Sequence, residues 1–401
     1  MICLMTAQLK NNFCELKTII YKYSDPSEKL YLNAVIENKL KELKNPTLLD
    51  LKKIIDVSTS YLRTKIRSID LMNLIRETAD FMFLHGEKEI SLELYQKILS
   101  NNKKLKIRMD LLADSYLGIA NIYAREGKWE DTKVNLKKAK AIFSRKNNRV
   151  GLAQTENFIG TIYAENGEID KARKQFEYAL SFIAKTKNSV TKCKIYNNLG
   201  IVCTMMHSYT EAKEYLYKAI DAHEDITEKL NKSEILHNLG MLLMKEGNYN
   251  KALELFIRSN KIAIEKDLHP ISGISHLGIA EANCYLNNLD EAQIHIIKCQ
   301  DISYRLNDRL TIADSFKIEA LIQKAKHNYE AAESLLLASL TINKEYSNFG
   351  NIAETRLQLG LLYHEQKDRR ASNYLSDAAI YFNQIKRSPE AAKIAQLTKA
   401  A

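Results

Sequence analysis

The residues able to do chemistry are numerous but not assembled into any reactive pattern. Nine histidines carry no H-E-x-x-H motif, and the six cysteines (Cys3, Cys14, Cys193, Cys203, Cys284, Cys299) form no C-x-x-C pair, so neither set has zinc-ligand spacing. Scattered cysteines on apolar helical positions read as free thiols of a reducing compartment. No glycine-rich phosphate loop, no G-x-S-x-G and no kinase-type signature occurs. Glu165, Glu246 and Glu365 recur at the ends of helical segments, where a carboxylate is solvated. These residues predict a protein that is not an enzyme and uses no metal or cofactor.

The elements that must position any site are helices. Four prolines and 13 glycines in 401 residues disfavour sheets with tight turns, and Leu, Ile, Ala, Lys and Glu dominate. The class is all-α. No apolar run reaches the ~20 residues that span a bilayer, and Met1–Met5 is too short for a secretory leader. A cytoplasmic location without membrane contact is expected. The net charge of +10 suits an acidic partner or nucleic acid, but it is spread along the chain.

Internal repetition is the strongest signal. Small residues stand at Ala120, Gly160, Gly200, Gly240, Ala280, Ala320 and Gly360, seven units with a period of 40 and no insertion. Twelve residues after each comes a second small or short residue, from Thr132 and Ala172 through to Ser372. Four further on stand large apolar residues, Leu136, Phe176, Leu216, Phe256, Ile296 and Leu336. Large knobs facing small holes are what helix-on-helix packing requires. Turns such as Glu126-Gly127-Lys128-Trp129 supply a glycine for the helix C-cap, and an aromatic or aliphatic residue (Trp129, Ile169, Tyr209, Tyr249, Leu289, Tyr329) follows two places later.

These spacings, most closely the segment Leu239-Gly240 to Ala252-Leu253, make the chain resemble the tetratricopeptide repeat family, with a period of 40 in place of about 34. Similar long repeats occur in bacterial peptide-sensing regulators, kinesin light chain and spindle-orientation scaffolds. The resemblance implies a right-handed solenoid of helical hairpins over residues 71–385. A degenerate eighth unit, carrying Ala79, Gly86, Ser91 and Ile98 one residue out of register, caps its start. Residues 386–401 read as a short helical or frayed tail over the last apolar face.

In that family the first helices line an inner groove that grips an extended peptide. The resemblance therefore assigns Asn121, Asn157, Asn197, Asn198, His237 and Asn238 to the groove, with Arg125, Lys194 and Lys245 beside them. An asparagine amide donates and accepts at once, so it pairs with a peptide backbone of any sequence. Leu321 and Leu361 make the later units more apolar at this face.

The first 70 residues lack the small-residue column. Segments 8–22 and 27–43 read as amphipathic helices, with Asp25-Pro26-Ser27 as a cap. Residues 47–67 resemble a helix-turn-helix, with Leu51, Ile55, Val57, Leu62 and Ile66 as its core, Asp56 in the turn and Ser58 as cap. Thr59, Ser60, Arg63, Thr64 and Arg67 would then face a major groove, and Lys52, Lys53 and Lys65 phosphates. The competing reading is a helical cap that shields the first repeat or makes a dimer contact.

The leading expectation is a non-catalytic adaptor or sensor that holds a protein or peptide in the groove. The alternative is a transcription regulator with an N-terminal DNA reader and a ligand-sensing solenoid. A scaffold that uses the outer face is the third reading, and a homodimer is compatible with all of them.

Overall fold

The computed structural model describes residues 14–42, 48–105, 108–186, 188–224, 230–384, 391–392 and 394. All regular structure among them is helical. The chain divides into two compact units, residues 1–148 and 149–401.

The first unit holds α1 (residues 14–22), α2 (Pro26–Glu42) and α3 (Leu48–Leu62), then two hairpins, α4 (Ser68–Leu84) with α5 (Lys88–Leu105) and α6 (Met109–Arg125) with α7 (Trp129–Arg145). The second unit is six hairpins: α8 (Arg149–Glu165) with α9 (Ile169–Ile183), α10 (Ser189–Met205) with α11 (Tyr209–Glu224), and α12 (Leu230–Lys245) with α13 (Tyr249–Glu265). It continues with α14 (His269–Tyr285) and α15 (Leu289–Arg305), α16 (Arg309–Ala325) and α17 (Tyr329–Glu345), and α18 (Phe349–Glu365) with α19 (Arg370–Gln384).

The turns obey a stricter rule than the glycines alone suggest. Left-handed backbone falls at spacings of twenty or forty residues, at Gly127, Asn147, Gly167, His207, Gly247, Asp267, Asn287, Asn307, His327, Ser347 and Lys367. Each such residue ends one helix and aims the next. Around Gly127, the Gly127 N–H donates to the Ala124 carbonyl (3.0 Å) and the Lys128 N–H to that of Tyr123 (2.9 Å). Asp267 and Leu268 repeat the pair on Ile264 (3.2 Å) and Ala263 (2.8 Å). Both are Schellman closures, which satisfy carbonyls the helix end leaves orphaned.

Close packing explains the small residues. A Cβ on Gly240 would lie 2.6 Å from the Phe256 ring, and one on Gly278 would lie 2.8 Å from the same ring. Phe256 thus fills a hole made by two successive first helices, α12 and α14. Phe176, Leu216, Ile296 and Leu336 are likewise buried, as are Ala172, Ala212, Ala252, Ala292 and Ala332. The eighth, degenerate hairpin has the same contact in its shifted register, where the buried Ser91 hydroxyl donates to the Ala79 carbonyl (2.8 Å). At the far end Ala391 and Ile394 pack on Leu375, Ala378 and Phe382. The rest of the expected tail lies outside the described residues.

The helix cap expected at Asp25-Pro26-Ser27 is present at Asp25. Its carboxylate accepts from the Glu28 N–H (2.8 Å) while the Glu28 carboxylate accepts from the Asp25 N–H (2.8 Å), a reciprocal capping box at the start of α2. Residues 8–13 and 43 of the expected helices, and residue 47 of the expected helix-turn-helix, lie outside the described residues.

The helix-turn-helix expectation is corrected. α3 runs through Asp56 without a turn. Leu51, Ile54, Ile55, Ser58, Thr59 and Leu62 are all buried along one face at helical spacing, which favours one continuous helix. Val57, expected in the core of the joint, is 41% exposed.

Candidate peptide-binding groove

Within the second unit the first helices of neighbouring hairpins touch one another: α8 meets α10, α10 meets α12, α12 meets α14 and α14 meets α16. They form an inner layer, and at two of these junctions side chains two and three residues before the small residues meet across it. The Asn198 amide donates to the Asn157 carbonyl oxygen (3.0 Å), and the Asn238 amide donates to that of Asn197 (2.8 Å). Asn197 in turn donates to the Glu234 carboxylate (3.2 Å). The expected groove asparagines therefore form a ladder across α8, α10 and α12.

Fixing the amides in this way has two consequences. Each amide has two N–H donors and two oxygen lone pairs, and one or two bonds per residue leave capacity for a ligand. The bonds also hold each amide in one orientation, which lowers the entropy lost on binding. Asn157, Asn198 and Asn238 are half-buried, whereas Asn197 is buried.

His237 breaks the ladder for a clear reason. It occupies the position of Asn197, but the residue that would offer it an amide from α14 is Gly278, which must be glycine to admit Phe256. The His237 ring lies 5.2 Å from that of Phe256, and its buried Nδ1 has no hydrogen-bond partner. Burial pushes its pKa down to about 4, so the imidazole is neutral at pH 7. Lys194 and Lys245 are exposed on α10 and α12. Asn121 and Arg125 belong to the first unit, exposed on α6.

The later hairpins carry a charged cluster beside Leu321 and Leu361. The Lys317 ammonium contacts the Asp314 carboxylate at 2.8 Å and that of Glu354 at 3.5 Å, and donates to the Asn351 carbonyl oxygen at 2.9 Å. The Asn351 amide donates back to Asp314 (2.9 Å). Burial alone would lower the Lys317 pKa, but Asp314 and Glu354 outweigh it and hold the ammonium protonated above its ordinary range. Glu281 on α14 shares these surroundings. Burial raises its pKa first, Glu354 and Asp314 add to the rise, and Lys245 and Lys317 oppose it. The signal for this cluster was in the sequence: Gln154, Lys194, Glu234, Asp314 and Glu354 share one position of the 40-residue period, six before the small residue.

The residues expected to read DNA fare differently. Thr59 is buried and its hydroxyl donates to the Asp56 carbonyl (3.2 Å), so it cannot face a nucleic acid. Lys52 pairs with Glu93 (2.5 Å) and Arg67 with Asp70 (2.7 Å). Lys53, Ser60, Arg63, Thr64 and Lys65 are exposed, but no turn presents them as a recognition helix. Four cysteines are free and wholly or partly buried: burial raises Cys193 and Cys203 to about 11 and Cys284 and Cys299 to about 12, which leaves them unreactive thiols. Cys14 is free and exposed. Among the described residues no helix is long and apolar enough to cross a membrane.

Comparison with known proteins agrees with this architecture. The tetratricopeptide repeat family model matches residues 111–185 and 231–304. No curated protein matches the chain by sequence. Among solved structures, a Rap protein complexed with competence and sporulation factor is similar over 98% of this chain and 97% of its own, at 13% identity and a TM-score of 0.59. The Rap conjugation gene regulator of plasmid pLS20, in complex with the Phr* peptide, is similar over 80% of this chain and 97% of its own, at 15% identity and 0.60. The Cut9 and Hcn1 hetero-tetramer of the APC/C is similar over 86% of this chain and 59% of that one, at 14% identity and 0.56. At these identities the likeness is one of fold.

Proposed function

We propose that this chain, a helical solenoid of tetratricopeptide-repeat type in fold, is a non-catalytic adaptor or sensor that holds an extended peptide or protein segment against the first helices of its second unit. The asparagine ladder carries the reading. Asn157, Asn198 and Asn238 present oriented amides at successive hairpins, and such a row pairs with the N–H and C=O groups of an extended chain whatever its side chains. His237, neutral and buried against Phe256, ends the row without adding a charge to it. Two solved structures of similar fold hold competence and sporulation factor and the Phr* peptide, which supports the same use here. The protein works in the cytoplasm on this reading, where its buried free thiols stay reduced.

The test is selection of random peptides displayed on phage against the immobilised full-length chain. Binders whose affinity falls about tenfold or more in the Asn198→Ala, Asn238→Ala double variant are expected, since each lost amide removes up to two ligand hydrogen bonds. A selection that yields no binders, or binders indifferent to both substitutions, contradicts the proposal.

A further inference from the structure

The second helices of the second unit carry a pattern that internal packing does not use. Large apolar residues recur at a position of the repeat that faces water. Tyr217 on α11, Ile257 on α13, Ile297 on α15 and Leu337 on α17 are 57%, 51%, 57% and 38% exposed. Ile264 and Tyr304 stand two turns further along α13 and α15, on the same flank as Ile257 and Ile297, and are also more than half exposed. Single exposed apolar residues need no explanation, whereas a row repeated over four helices marks a surface that something covers.

The residue after each of the first three is basic: Lys218, Arg258 and Lys298. All three are exposed, and none pairs with a carboxylate among the described residues. Residues adjacent in sequence lie about 100° apart around a helix, so the apolar and the basic residue take opposite flanks of each exposed arc. The second helices pack on the first helices, and it is the first helices that touch from one hairpin to the next. Each second helix therefore turns an apolar flank to one neighbour and a basic flank to the other. The clefts α11–α13 and α13–α15 each have one wall of either kind.

We propose that these outer clefts dock a helix of a partner protein, one with an apolar stripe bordered by aspartate or glutamate. Charge decides the occupant. The unpaired Lys218, Arg258 and Lys298 call for carboxylates beside the apolar contact, as in a helix laid into a groove. Exposed Glu214, Asp221, Glu254 and Asp301 stand between the two flanks. A continuous anionic surface, nucleic acid or acidic bilayer, would meet those carboxylates, whereas a single helix lying in a cleft passes between them. A second copy would bring the same lysines and arginine, and a further net charge of +10, to the contact. The surface lies on the other helix of each hairpin from the asparagine ladder and does not depend on it.

The probe is a phage library of helical peptides randomised over one face, selected against the immobilised full-length chain. Enriched sequences should combine an apolar stripe with Asp or Glu along one border. A synthetic binder should lose about tenfold in affinity for the Ile257→Ser, Ile297→Ser double variant, and should bind the Asn198→Ala, Asn238→Ala variant as it binds wild type. Arg258→Glu with Lys298→Glu should weaken it by a similar factor, and lysine in place of the peptide's acidic residues should restore binding, a rescue that an unfolded variant cannot give. Binders without an acidic border, binders indifferent to both outer double variants, or no binders overturn the proposal. Two further results overturn it by naming another occupant. One is self-association in sedimentation that Ile257→Ser, Ile297→Ser abolishes, which assigns the face to a second copy. The other is binding to phosphatidylglycerol vesicles that Arg258→Glu, Lys298→Glu abolishes, which assigns it to a membrane surface.

Discussion

The asparagine ladder of α8–α12 and the charged network of α14–α18 occupy the same layer of one repeat array and solve the same problem in different ways. In the ladder, neutral amides meet across successive helices, and each bond can be lost without leaving a charge uncompensated. In the network, Lys317 is enclosed by its partners, so every member depends on the others. The backbone is shared, and the side chains at two or three positions per hairpin set the chemistry. A solenoid can therefore change its ligand preference without changing its packing.

The junction between the two regions is Phe256, which fills the hole between Gly240 and Gly278. Phe256→Ala should have the largest effect, about 3–5 kcal/mol of destabilisation. Hydrogen exchange should show it as lost protection in α12–α14, on both sides of the junction. Lys317→Met should cost about 3 kcal/mol, because it leaves Asp314 and Glu354 facing each other without their cation. Asn238→Ala, by contrast, should cost only about 1 kcal/mol at any pH. Equal losses for these two variants in urea titrations would erase the distinction between the regions.

Acid also probes the histidines. Burial holds His237 at about 4; burial first, then His295 and Lys298, holds His276 at about 4. His295 is lowered too, mainly by burial, and its Nδ1 lies 2.8 Å from that of His276. A folded pKa below the ordinary value near 6.5 means that the unfolded chain takes up the proton first. Stability is therefore complete above pH 6.5 and falls between 6.5 and 4, with a slope approaching about 1.4 kcal/mol per pH unit for each imidazole. Unfolding free energy measured from pH 7 to pH 4 checks the sign. The smallest effect is expected at a turn: Lys367 holds a left-handed φ of 56°, and Lys367→Gly should gain about 0.5 kcal/mol, seen as a slightly higher melting temperature.

Much of this was legible in the sequence because packing forces repetition. Gly160, Gly240 and their counterparts are small because Phe176 and Phe256 press on them, so a column of small residues every forty positions reports helix contacts directly. The asparagines stood in the same register and were found with it. The charged cluster was missed because a charge on a helix usually marks a solvated face, and only the fold shows that Glu281, Asp314, Lys317 and Glu354 converge. The turn at Asp56 was misread because Leu51, Ile55, Val57 and Leu62 fit a two-helix joint in one dimension. In three dimensions Ser58 and Thr59 are the buried pair, and small hydroxyl residues on an apolar stripe leave no periodic mark. The left-handed turn residues escaped notice wherever His207, Ser347 or Lys367 stood in place of glycine.

The most direct measurement of the central claim is a crystal structure of the full-length chain with a selected peptide bound. The account predicts an extended peptide across the first helices of the second unit, with its backbone within hydrogen-bond distance of Asn157, Asn198 and Asn238. A peptide seated on the second helices, or anywhere without contact to those three amides, would contradict it.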